Sequence, residues 1–317
     1  MHRTADFRYD VASAISQGRR EYQEDAVVSD FAAGAGIGFA VVADGMGGHA
    51  AGDVASKIVA TEVFTELKLH TGNPGAMENS IQDILCAAMY SANECVRYHS
   101  EQCPGTEGMG ATLIAPVLVQ DRLYWVSVGD SPLYLFRRGT LVRLNADHSL
   151  VPQIDYLVSK GLMKPEEALA HPDRHCLTSV LAGKAIPQVD CPDEAVKLFD
   201  GDIVVAASDG LQFLDDIEIT NLLSSMGDLP ADQISDRLMA EIDKLDDPDQ
   251  DNVSVCVMRV HREAVAAHPQ ADRPRVRART KILTLHPTNP SVTVMAAVSG
   301  NKTALAARVS NENLAVK

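Results

Sequence analysis

Four apolar, strand-like segments of this chain each lie next to an aspartate. Three of these aspartates follow such a segment, directly or after one small residue, and the fourth directly precedes one: they are Asp44, Asp130, Asp209 and Asp251. Asp44 and Asp209 are also followed by a glycine, which lets other groups approach closely. A fold that gathers these segment ends would collect four carboxylates in one place, and this possibility constrains the fold more than any other feature.

The pattern of apolar residues predicts a layered α+β protein. Short runs rich in Val and Ile predict strands over residues 38–43, 122–128, 202–207 and 252–260. Apolar residues at helical spacing predict two long amphipathic helices, which are marked by Val54, Ile58, Val63 and Leu67 and by Ile81, Leu85, Ala88, Ala92 and Cys95. Because the strands come in groups and the helices are few, a mostly antiparallel arrangement fits better than a steady alternation of strand and helix.

The charge of the chain is distributed unevenly. The net charge is −15, although residues 261–317 contain nine Lys and Arg against three Asp and Glu. An acidic body does not attract nucleic acid, since phosphate backbones favour basic surfaces. We therefore predict one domain over residues 1–261 and a basic C-terminal tail over 262–317, which is either disordered or an accessory hairpin.

Residues 150–192 differ from the rest of the domain. They are polar and loop-like, and Pro165 predicts the start of a short helix after Lys164. We interpret this stretch as a mobile flap beside the site.

Neither the apolar segments nor the cysteines indicate secretion or membrane insertion. No apolar stretch approaches the roughly 20 residues that cross a bilayer, and the first residues lack an apolar signal. The six cysteines form no Cys-x-x-Cys pair and indicate no disulfide framework. We expect a cytoplasmic protein, and we expect it to be a monomer.

A single aspartate–glycine pair usually marks a turn, but four aspartates at strand ends suggest a metal site. If carboxylates pack together without cations, they repel one another and raise one another's pKa. Ligation by oxygen alone favours Mg²⁺ or Mn²⁺ over zinc. The pattern therefore predicts a site for hard divalent cations.

Two motifs near the N-terminus, RREYQED at 19–25 and VADGMGGH at 42–49, resemble those of the metal-dependent (type 2C, PPM) protein phosphatases. Further matches follow in order at 110–113, 128–131, 147–149, 208–211 and 251–255. The resemblance covers about residues 8–260 and is similar to the bacterial branch. It implies a four-layer α-β-β-α sandwich with a central antiparallel β-sandwich, and hydrolysis of phosphoserine and phosphothreonine in proteins.

The resemblance also implies roles for the matching residues. Asp44 would bridge two metal ions, with the carbonyl of Gly45 completing one of them. Asp209 and Asp251 would ligate the other, and Asp130 with Asp209 would form a weaker third position.

Other matching residues would surround the metals. Asp25 and Glu24 would act largely through metal-bound waters, and Asn252 would support them. Arg20 would pair with the substrate phosphate, since a guanidinium fork suits its oxygens. Two cations roughly 3.5–4 Å apart would activate a water for in-line attack on phosphorus, with Arg20 and Asp44 as the catalytic residues.

Two positions depart from the family pattern. Animal members carry a histidine after the Asp-Gly pair, which has been proposed as a general acid, whereas this chain has Met46. A metal-bound water is then the expected proton donor. The motif that usually reads Gly-Asp-Ser-Arg ends in Pro132, which is expected to alter packing near the third metal position.

Four further side chains receive structural interpretations. His49 would shape the loop before the first long helix, and His148 would lie in a turn before the flap. Cys176 and Cys191 are interpreted as ordinary thiols, because nothing in the sequence places a cation beside them.

Two other functions compete with the phosphatase hypothesis. Residues 45–50 fit the loose Gly-x-Gly-x-x-Ala pattern of dinucleotide-binding proteins, but the expected acidic residue is replaced by Glu62 and Glu66 inside a predicted helix. The other alternative is a catalytically weak phosphatase-like binding module, which only Pro132 favours. If the chain is an enzyme, its expected partners are phosphorylated proteins, including a cognate Ser/Thr kinase and its substrates.

Overall fold

The computed structural model describes residues 7–32, 36–47 and 51–262. The strands in this part of the chain are β1 Phe7–Ser16, β2 Asp25–Asp30, β3 Ile37–Met46, β4 Gly110–Ala111, β5 Leu113–Val119, β6 Arg122–Val128, β7 Leu133–Arg137, β8 Thr140–Arg143, β9 Val196–Lys197, β10 Ile203–Ala207 and β11 Val253–Arg262. The helices are α1 Ala51–His70, α2 Pro74–Asn79, α3 Ile81–Gln102, α4 Val151–Ser159, α5 Pro165–Leu169, α6 Asp216–Met226 and α7 Ala231–Lys244.

The strands form two antiparallel sheets. The first has the order β1-β11-β10-β7-β8, and the second has the order β2-β3-β5-β6-β9, with β4 paired to the end of β3. Every paired strand in the described residues is antiparallel to its neighbour. The dinucleotide-binding alternative is therefore wrong, because that fold requires a mostly parallel sheet.

The four-layer sandwich is confirmed by where the side chains lie. Along β10, Val204 and Ala206 pack between the two sheets, while Val205 and Ala207 pack beneath α6 and α7. Helices α1 and α3 cover the outer face of the second sheet in the same way. A strand that is covered on both faces reads as a continuous apolar run, which explains the uninterrupted Val and Ile segments of the sequence.

The predicted strands and helices are all present, but one boundary matters for function. Strand β3 was expected to stop before Asp44, yet it continues through Met46. Gly45 and Met46 pair with the two residues of β4. A strand of two residues leaves no pattern that a sequence can show, so the extension of β3 could not be predicted. Asp44 consequently lies inside a strand, where its backbone is held on both sides.

The region between residues 150 and 192 contains two short helices, α4 and α5. Pro165 is the first residue of α5, as predicted, and Lys164 precedes it as the N-cap residue. The predicted tail at 262–317 lies almost wholly outside the described residues, as does His49. Within the described ranges, no helix has the length and apolar character needed to cross a membrane.

Candidate active site

Strands from both sheets bring aspartates to one end of the sandwich. Asp25, which begins β2, lies directly opposite Asp44 in the register of β2 and β3. Its Oδ2 accepts a 2.6 Å hydrogen bond from the hydroxyl of Ser208, the residue between β10 and Asp209. The backbone N–H of Ser208 donates to the carbonyl of Ser254 near the start of β11, at 2.9 Å. One short chain of contacts therefore joins the two sheets at this end.

Glycines make this close approach of the chains possible. A Cβ atom on Gly45 would lie 2.0 Å from the carbonyl oxygen of Gly52, and one on Gly210 would lie 2.0 Å from the carbonyl oxygen of Asn252. Both obstacles are backbone atoms, which cannot move aside as a flexible side chain can. The glycines after Asp44 and Asp209 therefore allow the first turn of α1 and the start of β11 to close on the carboxylates.

Burial and mutual repulsion raise the pKa values of these carboxyl groups above their usual range. Burial is the largest cause of the raised pKa of Asp25, which reaches about 7. Burial also raises the pKa of Asp130 to about 7, followed by the charges of Asp209 and Asp147. The pKa of Asp44 lies well above its usual range, again through burial first and then through the charge of Asp209. Such a cluster strongly favours any ligand that brings positive charge.

The residues present fit a hard cation. Three buried carboxylate oxygens have no hydrogen-bond donor: Oε1 of Glu24, Oδ1 of Asp25 and Oδ1 of Asp209. Among the described residues, no group of three or more His, Cys, Asp or Glu side chains is already arranged to hold an ion. A bound cation would give these unpartnered oxygens a positive partner and would lower the raised pKa values of the carboxyl groups.

The loop between β1 and β2 closes one side of the site. Arg20 Nη2 donates to Oδ2 of Asp251 at 2.6 Å, and the Arg20 side chain remains 57% exposed. Asn252 holds this loop from below: its Oδ1 accepts from the N–H of Glu24 at 2.7 Å, and its Nδ2 donates to the carbonyl oxygens of Gln17 and Tyr22. Arg20 therefore lies beside the carboxylates with most of its guanidinium open to solvent.

Asp130 occupies a separate turn after β6 on the opposite side. Its carbonyl oxygen accepts a 2.6 Å hydrogen bond from Arg143 on β8, and Arg143 also bonds Asp147 at 3.0 Å. The carbonyl of Pro132 accepts the N–H of Ala207 at 3.1 Å, so the proline fits between β7 and β10 without disturbing their contact. The arginine expected next to Ser131 is absent, but a cation from β8 supports the same turn.

His148 also supports the Asp130 turn. Its Nδ1 accepts the N–H of Gly129 at 3.2 Å, and its backbone N–H donates to the carbonyl of Gly129 at 3.0 Å. Burial lowers the pKa of His148, which keeps the ring neutral and able to accept that bond. The structure thus gives His148 a structural position.

A cavity of about 470 Å³ opens between the carboxylates and the flap. Asp44, Asp130 and Asp209 form one wall together with Met46 and Thr112, and flap residues His175, Cys176, Leu177 and Val180 form the other. Of the predicted site residues, Asp44, Asp130 and Asp209 line this cavity, whereas the lining does not include Arg20, Glu24, Asp25, Gly45, Asp251 or Asn252.

Sequence reasoning missed several residues that shape this cavity. Thr112 accepts the N–H of Asp44 at 3.0 Å and exchanges a 2.7 Å hydrogen bond with Ser131. Thr112 and Ser208 lie within motifs that match the family, and that match could have indicated that they belong to the site. Arg143 and His175 lie outside those motifs, and nothing in their spacing indicated that they approach the site.

The sequence profile of the family described as protein phosphatase 2C matches residues 13–226. A putative protein phosphatase 2C-type from Streptococcus pyogenes is 35% identical over 200 residues, which cover 60% of this chain and 74% of that protein. The serine/threonine protein phosphatase PstP of Mycobacterium tuberculosis is 37% identical over 177 residues, which cover 56% of this chain but only 32% of the relative.

The fold agrees with the sequence match. The crystal structure of the catalytic domain of serine/threonine protein phosphatase PstP in complex with two manganese ions superposes with a TM-score of 0.63 at 29% identity, over 80% of this chain and 99% of that one. The two antiparallel sheets, the carboxylate cluster at their ends and the matched profile agree, and the chain belongs to the protein phosphatase 2C family.

Proposed function

We propose that this chain is a metal-dependent protein phosphatase that hydrolyses phosphoserine and phosphothreonine at the cavity between the carboxylates and the flap. The observation that carries the proposal is the convergence of Asp25, Asp44, Asp130 and Asp209, whose pKa values are all raised. Acidic groups cannot attract a phosphate by themselves. They become a phosphate site only when cations neutralise them.

The residues around the cavity have separate parts in this reaction. Asp44, Gly45, Asp209 and Asp251 would hold two cations, Asp25 and Glu24 would orient water, and Asp130 with Asp209 would hold a weaker third cation. When bound, such cations supply an acidic water and positive charge for phosphoryl oxygens. The exposed part of the Arg20 guanidinium would bind the substrate phosphate, and its hydrogen bond to Asp251 holds the side chain beside the carboxylates.

The choice of ion and the biological setting are further parts of the proposal. The manganese-bound PstP structure supports Mn²⁺, and oxygen ligands suit Mg²⁺ as well. A bacterial Ser/Thr kinase and its targets are the proposed partners, since the relatives are bacterial serine/threonine phosphatases. The proposed location is the cytoplasm, where the six cysteines would remain the free thiols that the structure contains.

Hydrolysis of a phosphothreonine peptide and of p-nitrophenyl phosphate, each with and without Mn²⁺, tests the proposal. We expect Mn²⁺-dependent release of inorganic phosphate from both compounds. A phosphatase-like binding module without catalysis would bind the phosphopeptide and release no inorganic phosphate. That result would exclude the proposed phosphatase activity.

A further inference from the structure

The resemblance leaves the proton that the departing serine or threonine oxygen must take up to a metal-bound water, because no side chain of the motifs is placed to supply it. Met46 follows the Asp-Gly pair and lines the cavity, but a thioether carries no proton to give. His148 is buried, and its Nδ1 already accepts the N–H of Gly129. Neither side chain can serve the leaving oxygen.

His175 lies on the flap wall of the same cavity, opposite Asp44 and Asp209. The residue is exposed, and its imidazole forms no hydrogen bond or ion pair with any other part of the described chain. The pKa of Asp209 is raised by burial and then by Asp251, whereas His175 is among the groups that lower it. The imidazole therefore lies near enough for its charge to be felt by the carboxylates, yet no hydrogen bond occupies either ring nitrogen.

The backbone around His175 is held firmly although the side chain is free. The N–H of Cys176 donates to the carbonyl of Asp173 at 2.9 Å, and its own carbonyl accepts the N–H of Leu150 at 3.0 Å. Thr178 donates to the carbonyl of His148 at 2.7 Å, so the segment after His175 is tied to the turn that carries Asp130. A residue held between such contacts can present its ring to the cavity repeatedly in the same position.

We propose that His175 is the general acid that protonates the leaving oxygen of the phosphorylated side chain. This step rests on the proposed function. The oxygen of the attacking water bonds to phosphorus, the bond from phosphorus to the serine or threonine oxygen breaks, and that oxygen takes the proton of the His175 imidazolium. The proton lost by the attacking water passes to solvent, from which the imidazole is protonated again. Histidine is the side chain suited to this exchange near neutral pH.

A general acid matters in proportion to the basicity of the leaving group. Serine and threonine leave as strongly basic alkoxides, which need a proton during bond breaking, whereas p-nitrophenol leaves as a stable phenolate. Loss of a proton donor should therefore slow phosphothreonine hydrolysis far more than p-nitrophenyl phosphate hydrolysis. A residue that only supports the fold would slow both reactions equally.

The test compares His175→Asn with His171→Asn at saturating Mn²⁺. Asparagine keeps an N–H donor near the position of the ring nitrogen but cannot release a proton. His171 lies on the same flap outside the cavity, where its Nδ1 accepts the N–H of Asp173 at 3.2 Å, and the asparagine carbonyl oxygen can replace that acceptor. Thermal unfolding and Mn²⁺ calorimetry of both variants establish that the fold and the metal affinity are kept.

We expect His175→Asn to reduce kcat on the phosphothreonine peptide by about 100-fold, within the usual contribution of a general acid, and to reduce kcat on p-nitrophenyl phosphate much less. His171→Asn should leave the ratio of the two rates as in the wild type. Equal losses on both substrates, no loss on the peptide, or a loss of Mn²⁺ affinity in His175→Asn would overturn the assignment. If the wild type itself shows no Mn²⁺-dependent turnover, the proposed function fails rather than this role of His175.

Discussion

The two walls of the cavity are built in different ways. The carboxylate wall comes from strand ends of both sheets, and Asp25 and Asp130 are only 4% and 8% exposed. The flap wall comes from irregular chain after α5, which pairs with other parts of the chain through the bridges Ser149↔Leu177 and Ala111↔Leu181. Backbone ladders fix the first wall, whereas a few bonds fix the second. The groups that would hold cations therefore lie on the first, rigid wall, with Arg20 at its edge, whereas His175 lies on the wall that has fewer backbone contacts.

The largest effect should come from the rigid wall. Asp209→Asn should reduce phosphate release to the assay background, because Asp209 would ligate both the second metal ion and the weaker third one. The fold should survive, since the change removes one of several mutually repelling charges. Phosphate release and far-ultraviolet circular dichroism, measured on the same preparation, check the two halves of this prediction. Near-normal activity would show that the metal assignment is wrong.

A smaller loss of activity is expected from substitution of Arg20, which lies at the solvent-exposed edge of the rigid wall. Arg20→Met should lower kcat/KM on the phosphopeptide by about 10- to 100-fold, the usual cost of losing hydrogen bonds to a charged group. Arg20→Lys should recover only part of the lost kcat/KM, because an ammonium group cannot form the bidentate hydrogen bond to phosphate. Initial rates at low substrate concentration measure both variants. Unchanged kcat/KM in Arg20→Met would remove Arg20 from the site.

Arg143 offers a sharper comparison, because its hydrogen bond to the Asp130 turn goes to the backbone carbonyl oxygen and not to the carboxylate. Arg143→Gln should weaken Mn²⁺ binding at the Asp130 position by about tenfold, the lower end for residues that orient metal ligands. Activity titrated against Mn²⁺ concentration should then need more metal for half-maximal rate. Wild-type metal dependence in this variant would mean that Arg143 does not take over the support of this turn.

The subtlest prediction concerns the metal-free protein. The pKa values of Asp25 and Asp130 rise from 3.8 to about 7 on folding, so the folded state binds more protons than the unfolded state between these pH values. The contribution of these two groups to stability should therefore be greatest at pH 4 and below and fall as the pH rises towards 7, by up to about 1.4 kcal/mol per pH unit for each group. Urea unfolding at several pH values without metal measures this fall. Asp130→Asn should flatten it, and an unchanged slope in that variant would mean that Asp130 does not cause the fall.

Much of the carboxylate wall could be predicted from the sequence, because strand-end aspartates and glycines leave a regular pattern. This pattern predicted the layered α+β fold and the four strand-end aspartates, whereas the four-layer sandwich was implied by the resemblance to the phosphatase family. The end of β3 was not, since its last two residues are held by a partner strand that is itself only two residues long.

The flap wall shows why the rest could not be predicted. His175 approaches Asp209 only because the chain returns to the body after α5, and no local pattern encodes such a return. Arg143 likewise meets Asp130 across the β7–β8 hairpin, 13 residues along the chain. Contacts that depend on tertiary packing between irregular segments become visible only in the folded molecule.

Calorimetric titration of Mn²⁺ into the wild type and into Asp44→Asn tests whether the strand-end aspartates form the metal centre. Asp44 lies opposite Asp25 in the register of β2 and β3, within reach of the charges of Asp209, Asp130 and Asp251. We expect the wild type to bind at least two Mn²⁺ ions and Asp44→Asn to lose both high-affinity sites while remaining folded. Wild-type stoichiometry and affinity in Asp44→Asn would contradict the account.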